Sequence, residues 1–435
     1  MARDLARADE ELGTCLGEGR WALALATCGD ILQAAPSALS VRLRLSEIYA
    51  KAGHRDHALF LLGLLVDRCS AAGLPLWALA ALKSLAALGA ADPARERAWV
   101  ERYAASSAAL SKTATRPAPP DPATPVPTGP VPDSLDEAAQ TAFARACDLS
   151  AVAEPASQVA PLPLLSELDP ANLEAVYRAG ELRRLAPSAL LMRQGDPGDS
   201  LCFITSGEAL VFTQVEGGPP RELARVGEGT LVGEMALVSA EPRSASLVAA
   251  TFLDVFVVGS ETLTYLARQE PSVAKVLERF TRERLLKNLV ASSPLFAPFT
   301  AEQRAQLLTR FQGVEYEPGA LIVAEGHPGM GLYIVLMGQV EVASDAGGAH
   351  VPLARLHSGD VFGEMSLLGG GPTSAAVTAV APTTALFLPK DDFLAIVEGV
   401  PTLLAHFATL ANQRAAAQSV LLGRSGDLAG PPPGP

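Results

Sequence analysis

The second half of the sequence repeats itself, and this internal repeat constrains the fold more than any other feature. Residues 194–211 (QGDPGDSLCFITSGEALV) correspond to residues 325–342 (EGHPGMGLYIVLMGQVEV), and residues 231–249 correspond to residues 361–379. In each copy, apolar runs of strand length alternate with glycine turns, and helix-forming segments lie on both sides. Short strands with regularly placed glycines predict a small barrel or β-roll in each copy.

The positions shared by the two copies carry a recognisable motif. Residues 231–249 read LVGEMALVSAEPRSASLVA, and residues 361–379 read VFGEMSLLGGGPTSAAVTA. With the preceding glycine-rich run, this pattern resembles the cyclic nucleotide-binding domain, which bacterial catabolite activators, kinase regulatory subunits and gated channels share. The resemblance covers about residues 160–290 and 291–423. It implies two α+β domains, each an antiparallel, jelly-roll-like β-roll flanked by helices.

The first copy offers the groups that a cyclic phosphate requires. Gly233 lets the backbone approach a ligand closely, and a helix starting at Glu234 would turn free N–H groups towards a phosphate. Arg243 offers a planar fork of donors, although a surface salt bridge between Glu234 and Arg243 is the alternative. The resemblance implies that Glu234 binds the ribose 2′-hydroxyl and that Arg243 and Ser244 bind the phosphate. The predicted site comprises Gly233, Glu234, Met235, Ala236, Arg243, Ser244 and Ala245.

The second copy departs from the motif at the arginine position, where Thr373 stands. A hydrogen bond to a charged group contributes about 1.5–3 kcal/mol, so its loss weakens binding by roughly tenfold to over a hundredfold. The copy then binds weakly, binds a different ligand, or serves only as a packing partner, and we favour the last. The degenerate second site comprises Gly363, Glu364, Thr373, Ser374 and Ala375.

Residues 1–110 are rich in alanine and leucine, which predicts helices. The pattern Gly19-x-Trp21-x-x-Ala24 is followed 34 residues later by Gly53-x-Arg55-x-x-Ala58. A period of this length resembles the tetratricopeptide repeat, which stacks helical hairpins, and a generic helical bundle is the alternative. The resemblance implies an all-α helical repeat that binds a partner protein.

Between the helical region and the first copy, residues 111–159 predict a proline-rich linker. Eight prolines lie in residues 117–132, and proline favours extended polyproline II. We expect residues 111–134 to form a semi-rigid spacer, and a proline-rich ligand for a partner domain is the alternative. The tail, residues 424–435, is predicted to be disordered.

Charge and composition argue against several classes of function. The net charge of −13 argues against binding to DNA or to an anionic membrane surface. The five cysteines are scattered without a CxxC pair, so neither a disulfide framework nor a metal site is predicted. The start of the chain is too charged for a signal peptide, and the apolar runs are too short to span a bilayer. These features predict a bacterial, cytoplasmic protein, and with no catalytic constellation we expect no enzyme.

Taken together, these patterns predict a sensor that binds cAMP or cGMP, uses no cofactor, and signals to a partner protein by a conformational change. We hypothesise that binding shifts the helix predicted at residues 271–290 and reorients the second copy or the N-terminal helices. The tandem copies also resemble the regulatory subunit of a cAMP-dependent kinase, but the linker lacks an Arg-Arg pair, and Arg183-Arg184 falls in a predicted strand. The alternative function is a ligand-free scaffold built from degenerate domains.

Overall fold

The computed structural model divides the chain into two compact units, residues 1–278 and residues 279–435. Among the described residues, no helix is long and apolar enough to cross a membrane. The described residues are 3–114, 120–130, 132–152, 154–214, 219–233, 243, 245–292, 296, 299–344, 350–399, 405, 407–409 and 411–416.

Six helices form the N-terminal region, and each packs on the next in sequence. Gly19 and Gly53 lie in the turns before the second and fourth helices and both adopt a left-handed backbone, with φ of 68° and 91°. The expected all-α region is therefore confirmed, whereas its assignment to the tetratricopeptide repeat stays a prediction. The helices are α1 (Leu5–Gly17), α2 (Trp21–Ala34), α3 (Leu39–Lys51), α4 (Arg55–Ala71), α5 (Pro75–Ala87) and α6 (Pro93–Tyr103).

The prediction of a spacer is wrong for much of the proline-rich segment, because the described residues of this segment fold back onto the helices. Strand β2 (Pro125–Val126) pairs antiparallel with β1 (Arg3–Asp4). Beyond it, α7 (Leu135–Cys147) packs on α2, with Ser134 as its N-cap. An N-cap serine followed by acidic residues is a helix-start signal that the proline count obscured.

Side chains from α3 fix α7 in place. Arg42 is fully buried and donates from Nε to the carbonyl oxygen of Ala146 at 3.0 Å and from Nη2 to that of Asp148 at 2.6 Å. Burial lowers the pKa of Arg42 to about 10. The Tyr49 hydroxyl donates to the carbonyl oxygen of Ala139 at 2.8 Å. Because Arg42 satisfies carbonyl groups at the end of α7 and Tyr49 binds its first half, residues 135–148 belong to the helical region.

The first β-roll consists of two four-stranded antiparallel sheets, in the orders β3-β10-β5-β8 and β4-β9-β6-β7. Its strands are β3 (Glu181–Leu185), β4 (Leu190–Met192), β5 (Ser200–Ser206), β6 (Ala209–Thr213), β7 (Arg221–Val226), β8 (Leu231–Val232), β9 (Ser246–Ala249) and β10 (Leu253–Gly259). The 3₁₀ turn Leu165–Glu167 and the helix α8 (Pro170–Ala179) precede it, and α9 (Ser260–Gln269) and α10 (Pro271–Ser292) follow it.

The second β-roll has the same topology, with sheets in the orders β11-β18-β13-β16 and β12-β17-β14-β15. The predicted pair of α+β domains is therefore confirmed. Its elements are α11 (Ala301–Leu308), β11 (Gln312–Tyr316), β12 (Leu321–Val323), β13 (Gly331–Met337), β14 (Val340–Ser344), β15 (Val351–Leu356), β16 (Val361–Phe362), α12 (Glu364–Gly369), β17 (Ala376–Ala379), β18 (Thr383–Pro389) and α13 (Lys390–Gly399).

A buried ion pair joins the N-terminal helices to the first β-roll. Arg44 of α3 is 4% exposed, and its Nη2 lies 2.9 Å from Oδ1 of Asp254 on β10, which is 0% exposed. Arg184 of β3 adds a contact to the same oxygen at 3.5 Å and donates to the Ser84 hydroxyl of α5 at 2.7 Å. Arg184 lies in β3, as predicted, and holds the helices against the β-roll.

We predict that Asp254→Ala destabilises the first unit by about 3–5 kcal/mol, because it leaves the buried Arg44 guanidinium without its carboxylate. Urea unfolding followed by tryptophan fluorescence measures this, since all three tryptophans lie in residues 1–110. The control is Arg7→Ala, whose exposed partner is Glu11; it should change stability by no more than about 0.5 kcal/mol. Equal effects of the two variants would contradict the structural role of Asp254.

Candidate functional site

The candidate site of the first domain begins where β8 ends, at Gly233. This glycine has a left-handed φ of 83°. A Cβ atom there would lie 2.6 Å from Nη1 of Arg243 and 2.8 Å from the carbonyl oxygen of Ser200, which is closer than side-chain carbons approach other atoms. The missing side chain therefore makes room for the Arg243 guanidinium.

Arg243 is held by the loop that leads into β5. Its Nη1 donates to the carbonyl oxygen of Gly233 at 3.1 Å. Its Nη2 donates to the carbonyl oxygen of Ser200 at 2.8 Å and to the Ser200 hydroxyl at 3.1 Å, and it lies 3.4 Å from Oδ1 of Asp199. The Arg243 side chain is 7% exposed, so these contacts fix both the position and the direction of its guanidinium.

The loop before β5 also holds the backbone of Arg243 through two hydrogen bonds. Its N–H donates to the carbonyl oxygen of Asp196 at 2.8 Å, and its carbonyl oxygen accepts from the N–H of Gly195 at 2.9 Å. Behind it on β5, burial raises the pKa of the Cys202 thiol to about 11, so this side chain is a neutral packing group at physiological pH.

The structure brings two of the predicted site residues, Gly233 and Arg243, into direct contact, and Ala245 directly precedes β9. The predicted residues Glu234, Met235, Ala236 and Ser244 lie outside the described residues. Sequence reasoning missed Asp199 and Ser200 as partners of Arg243. A signal was present, because these two residues end the glycine-rich run GDPGDS of the first copy, whose counterpart in the second copy is GHPGMG.

In the second domain, Thr373 occupies the same backbone position as Arg243. Its N–H donates to the carbonyl oxygen of His327 at 2.8 Å, and its carbonyl oxygen accepts from the N–H of Gly326 at 2.8 Å. Its hydroxyl accepts from the His327 N–H at 3.1 Å and lies within hydrogen-bonding distance of the carbonyl oxygens of Ala324 and His327. The hydroxyl is therefore engaged by its own loop.

The residues that anchor Arg243 are also replaced in the second domain. Met330 and Gly331 stand where the repeat places Asp199 and Ser200 in the first, and Met330 is 70% exposed. Gly363 keeps the left-handed turn, with φ of 88°. The second domain has therefore lost a set of interacting groups rather than a single arginine.

A different arginine reaches the second site. Arg414, in the helical residues 411–416, donates from Nη1 to Oε1 of Glu364 at 2.7 Å and to the carbonyl oxygen of Val361 at 2.6 Å. Arg355, the nearest arginine in sequence, instead lies 3.4 Å from Glu341 and is exposed. Sequence reasoning could not find Arg414, because it follows Glu364 by 50 residues.

Glu364 and Arg414 line a cavity of about 140 Å³, together with Thr373, Ser374 and Ala375. Gly363 also lines this cavity, so the structure places the predicted residues of the degenerate site around it. The Phe362 ring in its wall stacks on Tyr333 at a centroid distance of 4.9 Å. Burial and the neighbouring Tyr316 raise the pKa of Tyr333 to about 12, so it remains a neutral aromatic support.

Comparison with known proteins identifies both β-rolls. The sequence profile of the cyclic nucleotide-binding domain matches residues 182–270 and residues 313–399. The chain therefore contains two cyclic nucleotide-binding domains in tandem, behind a helical N-terminal region.

Curated relatives are similar to about half of this chain. The chain is 26% identical over 229 residues to a cAMP-dependent protein kinase regulatory subunit of Dictyostelium discoideum, covering 52% of this chain and 67% of the relative. It is 28% identical over 221 residues to the corresponding subunit of Hypocrea atroviridis, covering 49% of this chain and 46% of the relative. The chain thus spans about half to two thirds of these relatives. Their eukaryotic sources contradict our prediction of a bacterial protein.

A solved structure also aligns with part of this chain. It is the regulatory domain of Toxoplasma gondii PKA, crystallised with cAMP, and it is 25% identical to this chain. The alignment covers 57% of this chain and 92% of that structure, with a TM-score of 0.27.

We predict that Gly233→Ala destabilises the first unit by about 1–3 kcal/mol, because the new Cβ meets both Arg243 and the Ser200 carbonyl oxygen in a left-handed conformation. The matched control is Gly227→Ala, where the nearest atom lies 3.7 Å from the new Cβ. The control should cause no loss of stability. Thermal unfolding monitored by tryptophan fluorescence compares the two, and a tolerated Gly233→Ala would contradict the packing described for Arg243.

Proposed function

We propose that the first domain, residues 160–290, binds cAMP or cGMP and that the protein is a non-catalytic regulator. The observation that carries the proposal is the environment of Arg243. It is a buried guanidinium whose close described partners are neutral oxygens of Gly233 and Ser200. The described carboxylate beside it, Asp199, is 3.4 Å away and 83% exposed. A positive charge held in this way suits an anionic ligand.

The remaining site residues complete the proposal. Glu234 accepts a hydrogen bond from the ribose hydroxyl, and Ser244 joins Arg243 at the phosphate. Met235, Ala236 and Ala245 are the other residues of the proposed site, and Gly233 allows the close approach. These roles follow from the resemblance to the cyclic nucleotide-binding domain and from the family match.

The proposed signal leaves the first domain through β5. Ser200, at the start of β5, binds Arg243. Ser206, at its end, donates from its hydroxyl to Oδ2 of Asp254 at 3.1 Å, and Asp254 pairs with Arg44 of the helical region. A shift of Arg243 on ligand binding would therefore act on β5, whose other end contacts the Asp254 carboxylate that pairs with α3. We propose that the tetratricopeptide-like helices then present the change to a partner protein.

The relatives indicate what kind of molecule the partner of this chain is. Those reported above are regulatory subunits of a cAMP-dependent protein kinase, which supports a protein partner for this chain. The second candidate function is a scaffold. The replacement of Arg243, Asp199 and Ser200 by Thr373, Met330 and Gly331 favours it for the second domain. A cytoplasmic location stays a prediction of the sequence, as does the absence of DNA and membrane binding.

Calorimetric titration of cAMP and of cGMP into the full chain tests the proposal. We predict one site per chain for one of these nucleotides. Arg243→Ala should weaken binding by about tenfold to over a hundredfold, because it removes a charged donor from the phosphate. The affinity of Arg243→Lys should lie between those of the wild type and Arg243→Ala, since a lysine keeps the charge without the planar fork of donors.

The control variant is Arg225→Ala, which removes an exposed arginine of β7 that lies beside Glu208 and Glu222. Its affinity should match that of the wild type. The protein must first be shown to be free of copurified nucleotide. If it then gives no heat with either nucleotide, the proposed binding is wrong and the scaffold is the better assignment.

A further inference from the structure

A cavity of about 520 Å³ lies inside the first unit, where the helical region meets the first β-roll. Helices α3 and α5 form one side of it, and strand β3 forms the other. Small-molecule sites typically occupy about 300–1,000 Å³ and often lie where domains meet. None of the residues that line this cavity belongs to the predicted site of either β-roll. We call it the junction cavity.

The first β-roll covers the helices beside the junction cavity. The Phe252 ring packs against Gly13 of α1, and Arg44 of α3 lies over the same ring. Arg184 of β3 donates to the Ser84 hydroxyl of α5. Three alternate helices, α1, α3 and α5, therefore contact the β-roll. A ligand of this cavity has to fit between the helices and the β-roll, which suits a small molecule better than a folded partner.

The carboxylates that line the junction cavity are already paired. Oε1 of Glu47 accepts from Lys51 at 2.7 Å, and its Oε2 accepts from Nη1 of Arg184 at 3.3 Å. Burial alone would raise the pKa of Glu47, but these two cations hold it below its ordinary value. The other carboxylate, Glu181, is 74% exposed and lies 3.8 Å from Arg183. The negative charges of the lining are therefore matched by arginine and lysine side chains.

Lys83 of α5 lines the same cavity in a different setting. Among the described residues, no carboxylate lies within salt-bridge distance of its ammonium group. Its Nζ donates to the carbonyl oxygen of Arg178 at 3.5 Å and lies 4.3 Å from the centroid of the Tyr177 ring. Burial lowers the pKa of Lys83, and Glu96 and Glu181 offset this only from a longer distance. An ammonium has more donors than this one contact uses, so the half-buried charge suits an anionic ligand group.

Much of the remaining lining is apolar. Leu62, Leu88 and Leu182 face the cavity together with Ala50 and Ala87. A bare inorganic anion would fill a small part of the volume and leave these side chains in contact with water. An organic anion with an apolar body would cover them, which the hydrophobic effect favours.

We propose that the junction cavity binds a small organic anion, with one carboxylate or phosphate group beside Lys83 and an apolar body against Leu88 and Leu182. A ligand held in this way contacts α5 and β3 at once, so it stabilises the junction between the helical region and the first β-roll. The proposal does not rest on nucleotide binding by either β-roll.

Calorimetric titration into the full chain tests this with two probes, 1-naphthoate and 1-naphthyl phosphate, which distinguish a carboxylate from a phosphate ligand. We expect a saturable site for at least one probe and none for the neutral 1-naphthamide. Lys83→Met should weaken binding by about tenfold or more, because it keeps the length of the side chain but removes the charge. Lys112→Met removes an exposed lysine outside the cavity lining, and this matched control should bind like the wild type.

A parallel titration of Arg243→Ala separates the junction cavity from the proposed nucleotide site. The affinity of the probe should be the same in this variant as in the wild type. A probe site that disappears in Arg243→Ala would place the anion in the first β-roll and overturn the proposal.

A second pair of variants keeps the test decisive if Lys83→Met fails to fold. Ala86 and Ala87 are neighbouring exposed residues of α5, and of the two Ala87 lines the cavity. Ala87→Trp should block the probe, whereas Ala86→Trp should leave its affinity unchanged. The proposal is wrong if the folded wild type binds neither probe, if 1-naphthamide binds equally well, or if neither Lys83→Met nor Ala87→Trp changes the affinity.

Discussion

The first unit depends on the contact between the Arg44 guanidinium and the Asp254 carboxylate, which are 2.9 Å apart and almost fully buried. Such a pair adds little net stability, but removal of one partner is costly, so it permits few alternative arrangements. Arg44 also lies over the Phe252 ring, 4.8 Å from its centroid, and Asp254 accepts from Ser206. These contacts specify how α3 meets β10, and through it how the helical region meets the first β-roll.

The proposed nucleotide site and this junction both contact strand β5. Arg243 is fixed by Ser200 at one end of β5, and Asp254 is fixed by Ser206 at the other. A second polar contact, from Nε1 of Trp77 to Oε2 of Glu228 at 2.8 Å, ties α5 to the turn before β8, which leads to Gly233. The helical region therefore contacts the elements that position Gly233 and Arg243, two residues of the proposed site, which a domain held apart by a semi-rigid spacer would not do.

The sequence predicts the two β-rolls well because their information is local and occurs twice. Alternating apolar runs and glycine turns define strands, and the shared motif locates Gly233 and Arg243. Prediction from the sequence fails where contacts between residues far apart in the chain determine the structure. The prolines before α7 suggested a spacer, whereas Arg42, about 100 residues earlier, holds that helix in place. Nothing local links Arg414 to Glu364, and no sequence pattern shows that Arg44 and Asp254 meet.

Hydrogen–deuterium exchange of the full chain, with and without saturating cAMP, tests the central claim that the nucleotide site and the helical region act as one unit. The account predicts slower exchange with ligand both around β5 and β8 and in α3 and α5. Because amide protection follows the stability of the local cooperative unit, the helices should respond without contacting the ligand. A change confined to the first β-roll, with α3 and α5 exchanging at the same rate in both states, would contradict it.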